Sequence, residues 1–240
     1  MRIALVQPDT IWHDKPANYA NLRRLTTDVP AGSVIVMPEM CEVGFTMRKS
    51  VSTEGDSATF VRELAAERNC TVIAGVVADG RNQCVIANAD GEIVRYAKRK
   101  PFVLVDEAKH YPAGTEAVVA EIDGVKFAPS ICYDLRHPQV YREPALLGAQ
   151  VLINVANWPA TRVHHWLTLL TARAIENQAW VIGCNRCGKD PYVEYPGRSI
   201  IVNPLGEIVA DAGADETVVL HDIDITEVDQ ARNDLPFLHP

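Results

Sequence analysis

Short apolar segments alternate with amphipathic segments from one end of the chain to the other, and this alternation restricts the fold more than any other feature. A short apolar run predicts a buried strand, whereas apolar residues three and four positions apart predict a helix that covers a sheet. Strands are predicted at residues 2–7, 34–37, 71–77, 83–87, 92–96, 118–122, 125–131, 150–154, 179–185, 199–202, 207–211 and 218–223. Helices are predicted at residues 16–27, 57–69, 139–147 and 162–177, and a short polar tail ends the chain.

Tight turns join two pairs of these strands. Asp90-Gly91 and Asp123-Gly124 each separate two apolar runs, and an Asp-Gly pair is typical of a hairpin because both of its residues tolerate a positive φ. Hairpins mixed with strands and helices predict an α/β protein in which a mixed sheet is layered with helices. Since no repeat, low-complexity stretch or linker interrupts residues 1–240, we expect a single domain.

The charge balance argues against nucleic acid as a partner. The chain has 31 acidic and 23 basic residues, a net charge of −8, and no basic run longer than Lys98-Arg99-Lys100. Proteins that bind nucleic acid neutralise phosphates with a basic surface, so this activity is not expected. No apolar run approaches the roughly 18 residues that span a bilayer, so membrane insertion is not expected either.

The cysteine pattern and the first residues bear on the compartment. Six cysteines are scattered along the chain rather than arrayed as a framework, which is typical of free thiols in a reducing cytosol. Residues 1–8 form an apolar segment that is too short for a signal peptide. We therefore expect a cytoplasmic protein.

Cys132 lies where a predicted strand ends and a turn begins. The following residues indicate a turn that leads into a helix, because Asp134 can cap a helix and Pro138 is tolerated in a first helical turn. A thiol at such a turn faces backbone N–H groups and the positive end of a helix, which favours the thiolate and stabilises an oxyanion. The alternative is a buried structural cysteine.

Two further reactive side chains follow predicted strands. Glu39 comes after the strand at 34–37, where a carboxylate is poorly solvated and suits a general base, and its alternative is a surface glutamate in a loop. Lys98 comes after the strand at 92–96 and can donate to a developing oxyanion, and its alternative is a solvated basic loop. Together with Cys132, these residues form the layout that nucleophilic acyl chemistry requires.

The segments that contain these three residues resemble the nitrilase superfamily of carbon–nitrogen hydrolases. They are Met37-Pro38-Glu39, Tyr96-Ala97-Lys98 and residues 131–136. The resemblance implies a catalytic triad of Glu39, Lys98 and Cys132. It also implies a four-layer α-β-β-α sandwich, catalysis without a metal or organic cofactor, and at least a homodimer.

Other segments extend the resemblance from about residue 2 to about residue 236. Residues 106–114 resemble the segment that supplies a second active-site glutamate, so Glu107 is expected to have that role. Residues 172–178 resemble a characteristic helix end, and residues 203–207 resemble the final hairpin.

Within the superfamily, residues 154–159, His165-Trp166 and residues 184–186 are most similar to the ω-amidase branch. This similarity implies a cysteine-dependent amidase that hydrolyses the ω-amide of a short 2-oxo dicarboxylic acid, such as 2-oxoglutaramate. The products would be the carboxylic acid and ammonia, formed through a thioester on the nucleophile. Lys98 and the backbone N–H of Tyr133 are expected to hold the oxyanion.

A substrate of this kind carries a carboxylate at its far end, so a cation is expected to meet it. The candidates are Lys100, Arg162 and Arg186, and Trp158 is expected to form a wall of the pocket. Lys100-Pro101-Phe102 stands where members of the superfamily usually have His-Leu-Phe, and this change bears on the charge of the preferred substrate.

Three alternatives remain open at this point. The same triad serves nitrilases and hydrolases of N-carbamoyl amino acids. Cys184 and Cys187 have the CxxC spacing of a thiol redox or zinc-binding protein, although zinc requires about four ligands and no second pair of this spacing exists. A catalytically inactive interaction protein is the third alternative.

Overall fold

The computed structural model describes residues 1–52 and 57–238, without the side chains of residues 92 and 93. Its strands are β1 (Arg2–Gln7), β2 (Val34–Met37), β3 (Thr71–Ala78), β4 (Arg81–Asn88), β5 (Gly91–Ala97), β6 (Ala120–Ile122), β7 (Val125–Ile131), β8 (Val151–Ala156), β9 (Trp180–Asn185), β10 (Cys187–Lys189), β11 (Glu194–Pro196), β12 (Ile200–Val202), β13 (Ile208–Asp211) and β14 (Thr217–Asp222). Its helices are α1 (Lys15–Leu25), α2 (Lys49–Ser52), α3 (Ser57–Arg68), α4 (Glu107–His110), α5 (Pro138–Leu146), α6 (Val163–Asn177) and α7 (Thr226–Asp234). Short 3₁₀ turns occupy Val103–Val105, Cys132–Arg136 and Ala160–Arg162.

Two six-stranded sheets form the centre of the molecule, in the orders β14-β1-β2-β3-β4-β5 and β13-β12-β9-β8-β7-β6. Each sheet has a parallel centre, which is β1-β2-β3 in the first and β7-β8-β9 in the second. Antiparallel neighbours flank both centres. Strands that are covered on both faces form continuous apolar runs, and β2 and β8 are accordingly buried along their whole length.

Three apolar cores separate four layers. The inner core lies between the sheets and combines side chains such as Leu5 of the first sheet with Phe127 and Ile182 of the second. A second core lies between the first sheet and helices α1 and α3, and a third lies between the second sheet and helices α5 and α6. The expected α/β fold, a four-layer α-β-β-α sandwich, is therefore confirmed.

Helix α6 lies unusually close to its sheet. Trp166, Leu170 and Ala174 recur four positions apart on its buried face, and fully burying a side chain of leucine size contributes roughly 1.5–3 kcal/mol. The approach depends on Gly183 in β9, because a Cβ at that position would lie 2.3 Å from the Leu170 side chain. The helix thereby holds Trp166 against Trp158, with ring centroids 5.5 Å apart.

Two elements depart from the sequence prediction near the C-terminus. The segment expected as a polar tail contains α7, in which only Val228 and Ala231 are buried. Gln178 anchors it by donating to the carbonyls of Ala231 and Leu235. Two apolar residues are too sparse to reveal a helical period. The hairpin of β10 and β11 was also not predicted, because its strands are three residues long.

The predicted helix starts are partly wrong. α5 begins at Pro138, as expected, but Asp134 does not cap it; His137 precedes the helix without a side-chain cap. The sequence also suggests Ser57 as the N-cap of the second predicted helix, but Ser57 is the first residue of α3, and residues 53–56 lie outside the described residues. Along the described residues, we find no helix whose length and apolar character would suffice to cross a bilayer.

The topology gathers several strand ends at one edge. β5 runs parallel to β3 because two antiparallel steps separate them, so β2, β3 and β5 all end at the same side of the first sheet. β7, β8 and β9 end together in the second sheet. Ligand sites of α/β proteins lie beyond the carboxyl ends of such strands, and Glu39, Lys98 and Cys132 follow three of them.

Candidate active site

Glu39 lies in a tight loop at the end of β2. Its side chain is fully buried, so the alternative of a surface glutamate is wrong. The loop lies directly against Gly75 of β3, whose N–H donates to the carbonyl of Pro38. A Cβ at Gly75 would lie 2.4 Å from the Cα of Glu39. Backbone contact between the loop and the sheet therefore determines where this carboxylate lies.

Lys98 lies between two carboxylates. Its Nζ donates to Oε1 of Glu39 at 2.8 Å and to Oε2 of Glu107 at 2.8 Å. The lysine is only 2% exposed, which excludes the solvated basic loop. Burial alone would lower the pKa of Lys98, but the charges of Glu39 and Glu107 outweigh burial and raise it. The side chain is therefore a permanent cation at neutral pH.

Glu107 is the first residue of α4 and is also buried. Its Oε2 accepts the backbone N–H of Phe102 at 2.6 Å in addition to the Lys98 ammonium. The preceding residue, Asp106, has a φ of 51°, and this left-handed conformation turns the chain from the 3₁₀ turn into the helix. Glu107 thus accepts hydrogen bonds both from Lys98 and from the loop that precedes its own helix.

Two asparagines bind the carboxylate of Glu39. Nδ2 of Asn82 donates to Oε1 of Glu39 at 2.7 Å and to Oε1 of Glu107 at 2.8 Å. The backbone N–H of Asn157 donates to Oε2 of Glu39 at 3.0 Å, and Nδ2 of Asn157 donates to the Glu39 carbonyl at 2.6 Å. Sequence reasoning assigned no chemical role to either residue. The signal available for Asn82 was a polar side chain at the start of an otherwise apolar strand.

Cys132 lies in a strained turn. Its φ of 46° places a non-glycine residue in the left-handed region, which costs roughly 1–3 kcal/mol. Asp134 holds this turn, since its carboxylate accepts the backbone N–H groups of Ile131 and Lys100 at 2.9 and 2.8 Å and the hydroxyl of Tyr96 at 2.8 Å. Burial raises the pKa of Asp134 to about 6 despite these donors. The side chain that was expected to cap α5 therefore ties the nucleophile turn to the Lys98 loop.

The expectation that this turn favours a thiolate is wrong. Burial and the charge of Glu39 raise the pKa of the Cys132 thiol well above its usual range, and Lys98 opposes them only in part. Cys132 retains partial exposure, unlike a structural core cysteine. The resting nucleophile is therefore a neutral thiol beside its base, and a base must take its proton during attack.

A pocket with a cavity volume of about 120 Å³ opens above Cys132. Five of its twelve lining residues are aromatic, and two are arginines. The aromatic residues are Phe45, Phe102, Tyr133, Trp158 and Tyr195, and the others are Val105, Cys132, Arg136, Asn157, Pro159, Arg162 and Val193. The backbone N–H of Tyr133 belongs to the first positions of the 3₁₀ turn, where an N–H has no partner within the turn. An apolar pocket with few polar groups is the usual form of a small-molecule site.

The structure separates the predicted substrate-binding residues. Trp158 and Arg162 line the pocket, and the Trp158 indole donates to the Arg162 carbonyl at 2.8 Å. Lys100 is exposed and does not line it. Arg186 is fully buried elsewhere, where it donates to the carbonyl of Thr10 at 2.8 Å and lies 4.4 Å from the ring centroid of Tyr195. Arg186 thus supports the wall of the pocket from behind.

Arg136 is a pocket residue that sequence reasoning treated only as part of a motif. Its guanidinium lies 4.9 Å from the ring centroid of Trp158, and Nη2 lies 3.1 Å from Nδ1 of His165. The sequence placed Arg136 four residues after the nucleophile, but the direction of its side chain depends on the 3₁₀ turn. The structure therefore provides two pocket cations, Arg136 and Arg162, of which the sequence suggested one.

The thiols of Cys184 and Cys187 are directed at different backbone carbonyls. Sγ of Cys184 donates to the carbonyls of Val6 and Val36 at 3.3 Å, whereas Sγ of Cys187 is directed to the carbonyl of Gln7 at 4.0 Å. Both thiols are free and buried. In the described part of the chain, no group of three or more His, Cys, Asp or Glu side chains is arranged to hold a metal ion. Nothing in this geometry favours the redox or zinc alternative.

Glu42, in the same loop as Glu39, supports a prediction about stability. Its buried carboxyl accepts the backbone N–H of Val77 at 2.7 Å, and burial raises its pKa from 4.5 to about 7. Between these two pH values the unfolded chain releases a proton that the folded protein keeps, so stability falls as pH rises and the full penalty remains above pH 7. The shift corresponds to about 3 kcal/mol.

We therefore expect Glu42→Gln to stabilise the protein at pH 8 by up to about 3 kcal/mol and to change little at pH 5. Urea denaturation at both pH values measures the free energy of unfolding. Glu121→Gln, at an exposed carboxyl, is the control. Equal effects of Glu42→Gln at both pH values would contradict the assignment.

Comparison with other proteins identifies relatives over nearly the whole chain. The sequence profile of the carbon–nitrogen hydrolases matches residues 2–233. The omega-amidase YafV of Escherichia coli K12 is 40% identical over 222 residues, which cover 89% of this chain and 86% of the relative. The 2-oxoglutaramate amidase of Bacillus subtilis is 37% identical over 213 residues, which cover 85% of this chain and 82% of the relative.

Solved structures agree with these relatives. A CN-hydrolase superfamily protein of Xanthomonas campestris, determined with an arsenic adduct in its active site, has a TM-score of 0.93 and 30% identity, covering 99% of this chain and 96% of that chain. Nit3 of Saccharomyces cerevisiae, a member of branch 10 of the nitrilase superfamily, has a TM-score of 0.87 and 25% identity, covering 98% of this chain and 94% of that chain.

Proposed function

The chain belongs to the carbon–nitrogen hydrolase family, and on this basis we propose that it is an ω-amidase. Membership makes it a hydrolase of carbon–nitrogen bonds. The proposed reaction converts the terminal amide of a short 2-oxo dicarboxylic acid monoamide, such as 2-oxoglutaramate, into the acid and ammonia. Relatives that are named an omega-amidase and a 2-oxoglutaramate amidase support this branch of the family.

The observation that carries the proposal is the presence of two guanidinium groups in the pocket of the nucleophile. Arg136 and Arg162 line the same cavity as Cys132. A guanidinium recognises a carboxylate by two parallel hydrogen bonds. This interaction becomes stronger where water is excluded. A molecule with an amide carbonyl at Cys132 and a carboxylate at the arginines is a short ω-amide of a dicarboxylic acid. The aromatic walls suit its carbon chain.

In the first step, the Cys132 thiol attacks the amide carbonyl while Glu39 accepts its proton. A neutral thiol beside a carboxylate requires this general-base route, because little thiolate is present in the resting site. Negative charge develops on the carbonyl oxygen. The Lys98 ammonium and the backbone N–H of Tyr133 stabilise that charge, and Glu107 holds the ammonium in place.

In the second step, Glu39 returns the proton to the nitrogen, and ammonia leaves a thioester on Cys132. Water that Glu39 activates then attacks the thioester, and the carboxylic acid and the free thiol are formed. Glu39 returns the proton taken from water to the departing Cys132 sulfur, so it acts as base and acid in each half of the reaction and ends as a carboxylate. The side chains and backbone of this chain carry out each step, so the proposed mechanism requires no metal or organic cofactor.

A substrate comparison tests the proposed function. We expect ammonia release from 2-oxoglutaramate to exceed release from glutamine, an N-carbamoyl amino acid and a simple aliphatic nitrile by orders of magnitude in kcat/KM. A large preference for the carbamoyl compound or the nitrile would assign the chain to another branch of the family. No release from any of the four would overturn the proposal.

The pocket arginines give a prediction about KM. We expect Arg162→Met and Arg136→Met each to lower kcat/KM for 2-oxoglutaramate roughly 10- to 100-fold, mainly by raising KM, because each loses a charge-assisted hydrogen bond to the carboxylate. Butyramide, which has no carboxylate, should be affected much less. Steady-state ammonia release from both substrates measures the difference.

Lys100→Met is the matched control for the arginine variants, since it removes an exposed cation outside the pocket. It should leave kcat/KM for both substrates unchanged. If Lys100→Met lowered 2-oxoglutaramate hydrolysis and the arginine variants did not, the carboxylate would bind elsewhere and the assignment of the two arginines would be wrong.

A further inference from the structure

We propose that Asn82 is a positioning residue for this reaction, which commits one oxygen of Glu39 to structure and leaves the other to act as the base. The inference rests on the proposed function, since it refines how Glu39 works. Asn82 lies in β4 and is 2% exposed. Because Asn82 is buried, it can act only through the protein groups that it contacts.

Asn82 contacts the three charged residues at this edge of the sheet. Its Nδ2 uses one hydrogen for Oε1 of Glu39 at 2.7 Å and the other for Oε1 of Glu107 at 2.8 Å. The backbone carbonyl of Asn82 accepts the backbone N–H of Lys98 at 3.0 Å. One residue therefore fixes the spacing of both carboxylates and the start of the lysine loop.

The two neighbouring carboxylates determine the orientation of the Asn82 side-chain amide, although among the described residues this orientation leaves one buried atom without a hydrogen bond. Oδ1 of Asn82 is buried, and no partner for it lies within the described residues. Leaving a buried acceptor unsatisfied is unfavourable. Turning the amide over would direct that oxygen at two carboxylates, which is worse, so Glu39 and Glu107 keep Nδ2 between them. The side chain is thus held as a double donor.

This arrangement makes the two oxygens of Glu39 unequal. Oε1 accepts both the Lys98 ammonium at 2.8 Å and Asn82, which occupies its two lone-pair directions. Oε2 accepts the backbone N–H of Asn157 at 3.0 Å and, in the part of the chain that the structure describes, has only a long second contact, with Nδ2 of Asn157 at 3.5 Å. Oε2 is therefore the less strongly held oxygen of Glu39, and in this proposal it receives the thiol proton and returns it to the leaving nitrogen.

Asn82 also stabilises the negative charges of Glu39 and Glu107 without carrying a charge itself. Two carboxylates share one ammonium here, so the buried cluster has an excess negative charge. A neutral amide donates to both anions and favours their ionised forms. Because a donor to an anion lowers its affinity for protons, loss of Asn82 should require a higher pH before Glu39 is free to act as a base.

The test follows alkylation of Cys132 by iodoacetamide across pH, beside hydrolysis of 2-oxoglutaramate. The other five cysteines are buried, so Cys132 is the accessible thiol, and mass spectrometry verifies the site. In Asn82→Leu we expect the acid-side midpoint of alkylation to move up by about one pH unit. We expect kcat at pH 7 to fall roughly 10- to 100-fold, with a smaller change in KM.

Asn154→Leu is the matched control. Asn154 is also a fully buried asparagine whose Nδ2 makes two hydrogen bonds, to Ser130 and Tyr141, and whose Oδ1 has no partner within the described residues. Its loss should leave the alkylation midpoint in place, even if the melting temperature falls. Asn82→Asp preserves the shape of the side chain and serves if Asn82→Leu does not fold. Its added acid should also move the midpoint upward.

An unchanged midpoint in a folded Asn82 variant would overturn the proposal, because a merely structural asparagine would not alter proton transfer. Equal shifts in the Asn82 and Asn154 variants would overturn it too. The alkylation readout does not depend on the substrate. A shift in Asn82→Leu, together with no hydrolysis of ω-amides by the parent protein, would therefore refute the proposed function and support the positioning role.

Discussion

Replacing Cys132 with alanine is expected to lower the rate of ammonia release from 2-oxoglutaramate by about 10⁴-fold or more, because the variant cannot form the thioester. The remaining groups, Lys98 and Glu39, would still bind and polarise the amide, but no nucleophile would lie beside it. Cys132 is small and partly exposed, so the fold should tolerate the change. An ammonia assay with a melting curve at the same pH measures both properties.

Two variants complete this experiment. Cys132→Ser keeps a hydroxyl in the same turn, and we expect it to be nearly as inactive, since the weak base available cannot ionise a hydroxyl as readily as a thiol. Cys187→Ala should retain activity, because Cys187 does not line the pocket and takes no part in the proposed steps. Full activity of Cys132→Ala, or loss of activity only in Cys187→Ala, would refute the mechanism.

Replacing Lys98 with methionine is expected to be the second most damaging change. Loss of a pre-placed oxyanion donor costs about 10²–10³ in rate. Breaking a buried ion pair also leaves uncompensated charge and typically costs 3–5 kcal/mol of stability. Glu39 and Glu107 would then face one another without a cation, and the base would be disturbed as well. We therefore expect kcat to fall at least about 10³-fold.

The stability of Lys98→Met should depend on pH in a characteristic direction. In the folded variant one of the two carboxylates will hold a proton that the unfolded chain has already released, so stability falls as pH rises above the ordinary range of glutamate. We expect the melting temperature deficit relative to the parent protein to be larger at pH 8 than at pH 5. In the parent protein the raised pKa of Lys98 keeps the cation's contribution in full through this range.

The control for this variant is Lys100→Met, two residues away and exposed. It should show neither the loss of rate nor the pH-dependent deficit. A Lys98→Met protein that is active within tenfold of its parent would show that the oxyanion is stabilised without the ammonium. A deficit that is the same at both pH values would show that the two carboxylates do not interact in the way proposed.

Much of the fold could be predicted because its signals are local. β1, β2 and β7 have the bounds that their apolar runs predicted, and the Asp-Gly turns connect the expected strands. α7 escaped prediction because it buries only Val228 and Ala231, which are too few to form a period, while Gln178 anchors it from elsewhere in the chain. The hairpin of β10 and β11 escaped for a similar reason, since two very short strands are stabilised mainly by their surroundings.

The candidate site was predicted less evenly. Residues at strand ends, such as Glu39 and Lys98, could be found because parallel topology brings such ends to one edge. Arg186 also follows a strand, yet its side chain turns into the interior, and its pKa is lowered by burial. Lys100 follows the same edge but remains in solvent. Position along the chain did not distinguish these side chains from Arg136.

The sequence by itself determined most of the strands, the longer helices and the identity of three reactive residues at strand ends, because these follow from patterns a few residues long. Only the tertiary structure decided which groups meet. Glu39 contacts Lys98 from 59 residues away and Asn157 from 118 residues away. Contacts of that separation depend on strand register and on the packing of two sheets, and burial then determines which charges must be paired. For that reason the partners of Glu39 became visible only when the chain was folded.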